Sequence, residues 1–118
     1  MSGRKSRNRW RLSRNKGAAG ERELARELAR LFGVQSCRGR QFKGGPDSPD
    51  VLGLPGVHVE CKRAEYLSLY NALEQAERDR DWEEIPMVCH RKNHRRWVVI
   101  CYLDDLPALV KGLVECLG

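Results

Sequence analysis

Apolar side chains recur at helical spacing between Glu21 and Phe32. Leu24, Ala25, Leu28, Leu31 and Phe32 share one face, and Gly33 follows as a stop. The period then changes. Arg38 to Lys43 is basic and reads as extended, and Gly44-Gly45-Pro46 and Pro49 break the chain before a short strand, Asp50-Val51-Leu52-Gly53. Pro55-Gly56 signals a turn, and Val57-His58-Val59-Glu60-Cys61-Lys62 alternates with period two, predicting a strand hairpinned to the first. A helix is expected from Tyr66 to Asp81, with Leu69, Ala72, Leu73 and Ala76 on one face. Pro86 opens a strand over Met87 to His90, and Trp97 to Tyr102 is a further run of strand length. Asp104-Asp105 are expected to cap a C-terminal helix carrying Leu106, Leu109, Val110, Leu113 and Val114. The order α β β β α β β α predicts a single α/β domain, a central mixed β-sheet flanked by helices.

Composition narrows the class. The chain has 118 residues, enough for one domain with its own core. No apolar run approaches the roughly 18–20 residues of a membrane span, so no membrane partner is expected. The N-terminus is charged without an apolar stretch, so no secretory signal is expected. Five cysteines (37, 61, 89, 101 and 116) form no Cys-x-x-Cys pair. That argues against a disulfide framework and for a reducing, cytoplasmic setting.

Charge is unevenly placed. Residues 1–16 hold Arg4, Lys5, Arg7, Arg9, Arg11, Arg14 and Lys16 with no acid, so an arm of +7 in a chain of +6 leaves −1 for residues 17–118. A basic flexible N-terminal arm on a near-neutral body points to nucleic-acid phosphate, and Trp10 adds a stacking surface.

Chemistry emerges where acids face inward. At about 100° per residue from Glu21, Ala25 lies near 40°, Leu28 near 340° and Phe32 near 20°. Glu21 therefore sits in line with the apolar stripe, whereas Glu23 and Glu27 fall at about 200° and 240°. A buried carboxylate is costly unless it is paired or binds a metal. On the second strand, His58, Glu60 and Lys62 share one face, setting an acid beside an amine. The Leu54-Pro55-Gly56 turn can bring Asp50 alongside Glu60. Two carboxylates on neighbouring strands suit Mg²⁺, which takes one or two carboxylates and keeps several waters.

Glu21, Pro49-Asp50 and Glu60-Cys61-Lys62, ordered helix, strand, strand, resemble the PD-(D/E)xK nuclease superfamily. Gly-Gly-Pro-Asp-Ser-Pro-Asp-Val, then His-Val-Glu-Cys-Lys-Arg, then Leu-Glu-Gln-Ala on a helix, are similar to the archaeal-type Holliday junction resolvases and their bacteriophage relatives. The resemblance covers residues 17–105. It implies a restriction-endonuclease-like core and a homodimeric, Mg²⁺-dependent endonuclease, with Mn²⁺ as a substitute, that resolves branched four-way DNA junctions by paired nicks. It implies Asp50, Glu60, the Cys61 backbone carbonyl and Glu21 as metal ligands, Lys62 as catalytic lysine, and Gln75 as a polar partner on the following helix. Metal-activated water, charge neutralisation and leaving-group support are what phosphodiester hydrolysis needs.

Other residues are secondary. Asp47 could replace Asp50, and Ser48 could touch phosphate. Arg38, Arg40, Lys43 and Arg63, with Arg91, Lys92, Arg95 and Arg96 of the loop after His90, are expected on the DNA backbone. Cys89, His90 and His94 lack the spacing of a zinc site, and with Asn93 they do not complete an HNH-type one. His58 reads as a packed histidine and the cysteines as small core residues. Two alternatives stand beside the resolvase: a restriction- or repair-type nuclease on duplex DNA, and a non-catalytic DNA-binding module of the same fold.

Overall fold

Hydrophobic alternation along the chain is resolved by a sheet with two covered faces. The structure, a computed structural model, describes residues 2–39 and 49–117, with side chains from Gly17 onward. Helix α1 spans Ser2–Phe32, β1 Cys37–Arg38, β2 Val51–Leu52, β3 Val57–Arg63, α2 Leu69–Asp79, β4 Ile85–Arg91 and β5 Val98–Ile100. A 3₁₀ turn at Leu103–Asp105 leads into α3, Leu106–Leu117. The strands lie in the order β1-β2-β3-β4-β5, antiparallel except for the parallel β3–β4 pair. The chain is thus a single α/β domain with a five-stranded mixed sheet flanked by helices. No helix among the described residues is long and apolar enough to cross a membrane.

Period two on β3 divides the core. Val57 and Val59 pack with Val51, Met87 and Cys89 beneath Leu24, Ala25 and Leu28 of α1 and Leu109 of α3. On the other face, Val88 meets Ala72, Leu73 and Ala76 of α2. His58, Glu60 and Lys62 point to this second face. Pro86, which lacks an N–H, is tolerated inside β4 because β5 pairs only with Val88, Cys89 and His90.

Several boundaries differ from the sequence reading, and three of these differences bear on the site and its flanks. The helix expected over Glu21–Phe32 continues N-terminally to Ser2, through the segment read as an arm; no proline interrupts it, and Arg and Lys are good helix formers. Helix α2 starts at Leu69, with Ser68 as N-cap in an extended conformation, rather than at Tyr66. Asp104 and Asp105 do not cap α3 by side-chain hydrogen bonds. They lie in the 3₁₀ turn closed by Asp105 N–H to Tyr102 O at 3.0 Å, where their charge still complements the helix dipole.

Helix α1 crosses the end of β3 at Gly20. A Cβ there would sit 2.5 Å from the Arg63 Cβ, whereas one on Gly17 would meet nothing within 4 Å. Gly20→Ala should therefore lose about 1–2 kcal/mol despite its gain in helix propensity, because overpacking outweighs it. Gly17→Ala should hold or raise stability. Urea unfolding of both variants checks the contrast, and a stabilised Gly20→Ala would contradict the close crossing.

Candidate functional site

The β2–β3 hairpin decides which side chains meet. Gly56, with φ of 78°, makes the turn, and Val57 N–H reaches Leu54 O at 3.2 Å. The resulting register sets Val51 opposite Val59, so Asp50 stands opposite Glu60, the arrangement expected from the turn. Asp50 N–H donates to Val59 O at 2.9 Å, and the Asp50 Oδ2 accepts the Cys61 N–H at 2.9 Å. One bond thus fixes the Asp50 backbone to β3, and the other holds its carboxyl there.

Asp50 and Glu60 lie close enough to share a proton. Burial, then the charge of Glu60, raises Asp50 to about 7; the Cys61 N–H opposes the rise and Glu21 adds to it. Glu60, 3 % exposed, goes the other way. Burial alone would raise it, but hydrogen bonds with His58 and Asp50 and the Lys62 charge outweigh burial and hold it below its ordinary value. A pair of buried acids pushed apart in this way is a recurring signature of a functional site.

Lys62 is placed from two elements. It projects from β3 two residues after Glu60, and its Nζ donates to Oε1 of Gln75 on α2 at 2.9 Å. Gln75 lies at about 240° from Leu69, away from the apolar stripe of α2, on the side that leans toward β3. Glu21 is 8 % exposed, as its position on α1 predicts, and its Oε2 accepts from Arg38 Nε at 3.0 Å.

His58 was expected to be a packed residue, and it is fully buried at 0 % exposure. Its ring is nevertheless engaged: Nε2 lies 2.9 Å from Glu60 Oε1 and Nδ1 lies 3.6 Å from Glu84 Oε1. Burial disfavours a charge on His58, but the two carboxylates outweigh it and hold His58 above its ordinary value.

The basic residues divide. Arg38, Arg63 and Arg91, expected on DNA phosphates, are tied to partners within the chain. Arg38 pairs with Glu21; Arg63 donates to Glu23 at 3.5 Å, to Arg91 O at 3.3 Å and to Asn93 Oδ1 at 2.9 Å. Arg91 bonds Glu23 and the Arg95 carbonyl. Glu23, read as facing away from the sheet, is the acid these guanidiniums share, because the loop after β4 folds back over α1. Lys92, Arg95 and Arg96 are exposed on that loop. Arg40, Lys43, Asp47, Ser48 and the side chains of the arm lie outside the described residues.

His90 Nε2–H donates to Ala64 O at 2.8 Å, which commits it structurally. The five cysteines are free; burial pushes Cys89 up to about 12 and the Cys61 thiol higher still, so both are neutral thiols at neutral pH. Among the described residues, no three His, Cys, Asp or Glu side chains gather closely enough to hold a metal by themselves. The donor set that remains is the Asp50–Glu60 pair. Its chemistry fits Mg²⁺, a hard cation satisfied by one or two carboxylates plus waters, and it relieves the mutual repulsion that raises Asp50.

Comparison with family models, with curated proteins and with solved structures finds no match for this chain.

Proposed function

We propose that this chain is a Mg²⁺-dependent endonuclease of the restriction-endonuclease-like fold that cuts branched DNA, and that it resolves four-way junctions by paired nicks as a homodimer. The observation that carries the proposal is the meeting of Asp50 and Glu60 across the β2–β3 hairpin, with Lys62 two residues further along and braced by Gln75. Clustered acids repel phosphate, so a protein that only binds DNA has no physical use for them. With a cation between them, the repulsion becomes attraction.

Each residue then has a task. Asp50 and Glu60 would hold the ion, Mg²⁺ or Mn²⁺, and the Cys61 backbone carbonyl lies on the same strand beside them. A bound ion would supply an activated water and charge neutralisation at the phosphoryl group. The Lys62 ammonium orients the attacking water or meets the developing negative charge, and Gln75 keeps that ammonium in place. Glu21 adds negative charge beside Asp50, compensated by Arg38. The exposed Lys92, Arg95 and Arg96 and the arm of residues 1–16 supply phosphate contacts.

Two paired nicks need two such centres, hence a second copy. An apolar stripe on α3, with Leu106, Val110, Val114 and Leu117 exposed, is a surface on which two copies could meet. A body of this size leaves little room for a base-reading domain, which favours recognition of DNA shape over sequence.

A strand-resolved cleavage assay tests the reading. A synthetic four-way junction with Mg²⁺ should receive symmetric nicks, matched linear duplex should be cut far less, and EDTA should abolish both. Equal cutting of duplex would favour the restriction- or repair-type enzyme instead. No cutting of either substrate with Mg²⁺ or Mn²⁺ would leave the non-catalytic DNA-binding module.

A further inference from the structure

His58 is a polar residue where packing alone would place a Val or Leu. It is the second residue of β3, fully buried, with apolar neighbours Val57 and Val59 on either side in sequence. A buried polar ring is costly unless its nitrogens are bonded. A carboxylate only accepts hydrogen bonds, so Nε2 carries a proton and donates to Glu60 Oε1 at 2.9 Å. Its other nitrogen, Nδ1, has no hydrogen-bond partner among the described residues and faces Glu84 Oε1 across 3.6 Å. Glu84 is itself held, since its Oε1 accepts the Asp81 N–H at 2.9 Å.

We infer that His58 is a positioning residue for the cation centre: its Nε2–H fixes the rotation of the Glu60 carboxyl and keeps that carboxyl beside Asp50 when no cation is there to hold the two acids together. The inference rests on the reading of Asp50 and Glu60 as metal ligands. The terminal torsion of a glutamate is broad and freely populated unless something pins it. Here Glu60 faces Asp50, and once both carboxyls are charged, as a cation site requires, an unpinned carboxyl would swing away. His58 prevents this from within the same strand, because residues two apart share a face. Partners of this kind, bonded to a ligand rather than to the metal, are typically worth about 10–100-fold in metal affinity.

Mn²⁺ titration of the full chain, read by the loss of the free-ion EPR signal, tests the assignment. The wild type should bind Mn²⁺, and Asp50→Asn should lose it. His58→Met removes the donor at similar volume and should weaken binding about 10–100-fold. His58→Gln, whose amide can still donate to Glu60, should recover most of that loss. A purely structural role would lower the melting temperature of both variants without separating their Mn²⁺ affinities.

Should His58→Met fail to fold, the wild type supplies a second measurement. The ¹⁵N resonance of His58 Nε2 should shift in step with Mg²⁺ saturation, and it should not shift in Asp50→Asn. His58→Met binding Mn²⁺ within two-fold of wild type, or an Nε2 resonance indifferent to Mg²⁺, overturns the inference while Asp50 remains a ligand. A wild type that binds no Mn²⁺, or an Asp50→Asn that binds it equally, overturns both the inference and the reading beneath it.

Discussion

Glu60→Gln is expected to reduce junction nicking at least about 1,000-fold, because the several kcal/mol of transition-state stabilisation that a metal centre supplies depend on its carboxylates. Asp50→Asn should do the same. Junction affinity should hold or rise slightly in both, since each change removes a negative charge that faces phosphate. The double variant should be no worse than either single one, as for residues that act as one unit. Gel shifts and nicking rates on the same junction measure both quantities. Parallel loss of binding and cleavage would mean that the two acids serve the fold or the grip on DNA rather than the reaction.

The second large effect concerns pH. Asp50 is raised in the folded protein to about 7 by burial and by the charge of Glu60, far above the roughly 3.9 of an unfolded aspartate. A raised folded-state value contributes stability that is fully present below the unfolded value and is lost as pH climbs through the folded one. His58, also raised, acts in the same direction. Glu60, lowered, loses its contribution only at pH well below this window. In EDTA the protein should therefore lose roughly 1 kcal/mol between pH 6 and pH 8 from Asp50 alone. That corresponds to a fall in Tm of roughly 5 °C.

Mg²⁺ should reverse that fall, and more strongly at pH 8, where no proton must leave Asp50 first. Asp50→Asn should flatten both the pH slope and the Mg²⁺ gain. Thermal melts at pH 6 and pH 8, with EDTA and with Mg²⁺, measure all four quantities. A metal-free Tm that is level between pH 6 and pH 8, or one that rises, would contradict the shared-proton pair.

How much of this was legible in the chain follows from the range of each signal. Local signals carried the framework. Period two on Val57–Lys62 and the Pro55-Gly56 turn were enough to expect Asp50 opposite Glu60, and the register agrees. The inward aim of Glu21 followed from its place on the helical wheel. Gln75 was harder, since its angle from the stripe of α2 marks a flank without saying which strand that flank meets; only the packing of α2 on β3 and β4 brings it to Lys62.

Pairings between distant segments left no local trace. Arg38 with Glu21, Arg63 with Glu23 and Arg91 with Glu23 join residues 17, 40 and 68 positions apart, so three cations expected on DNA are paired within the body, two of them with one acid. His58 shows the same limit at short range. Its shared face with Glu60 was plain, but the hydrogen bond depends on how deeply that face is buried beneath α2. The backbone of Ser2 to Lys16 extends α1, and a run of seven cations gave no periodic apolar signal by which to anticipate a helix.

The central claim is that Asp50 and Glu60 together hold a divalent cation. Crystals of the full chain grown with Mn²⁺ and measured at a wavelength where manganese scatters anomalously address it directly. The account predicts an anomalous peak about 2.1 Å from a carboxylate oxygen of each residue. An ordered protein at saturating Mn²⁺ with no peak there, or with its peak at other side chains, would contradict it.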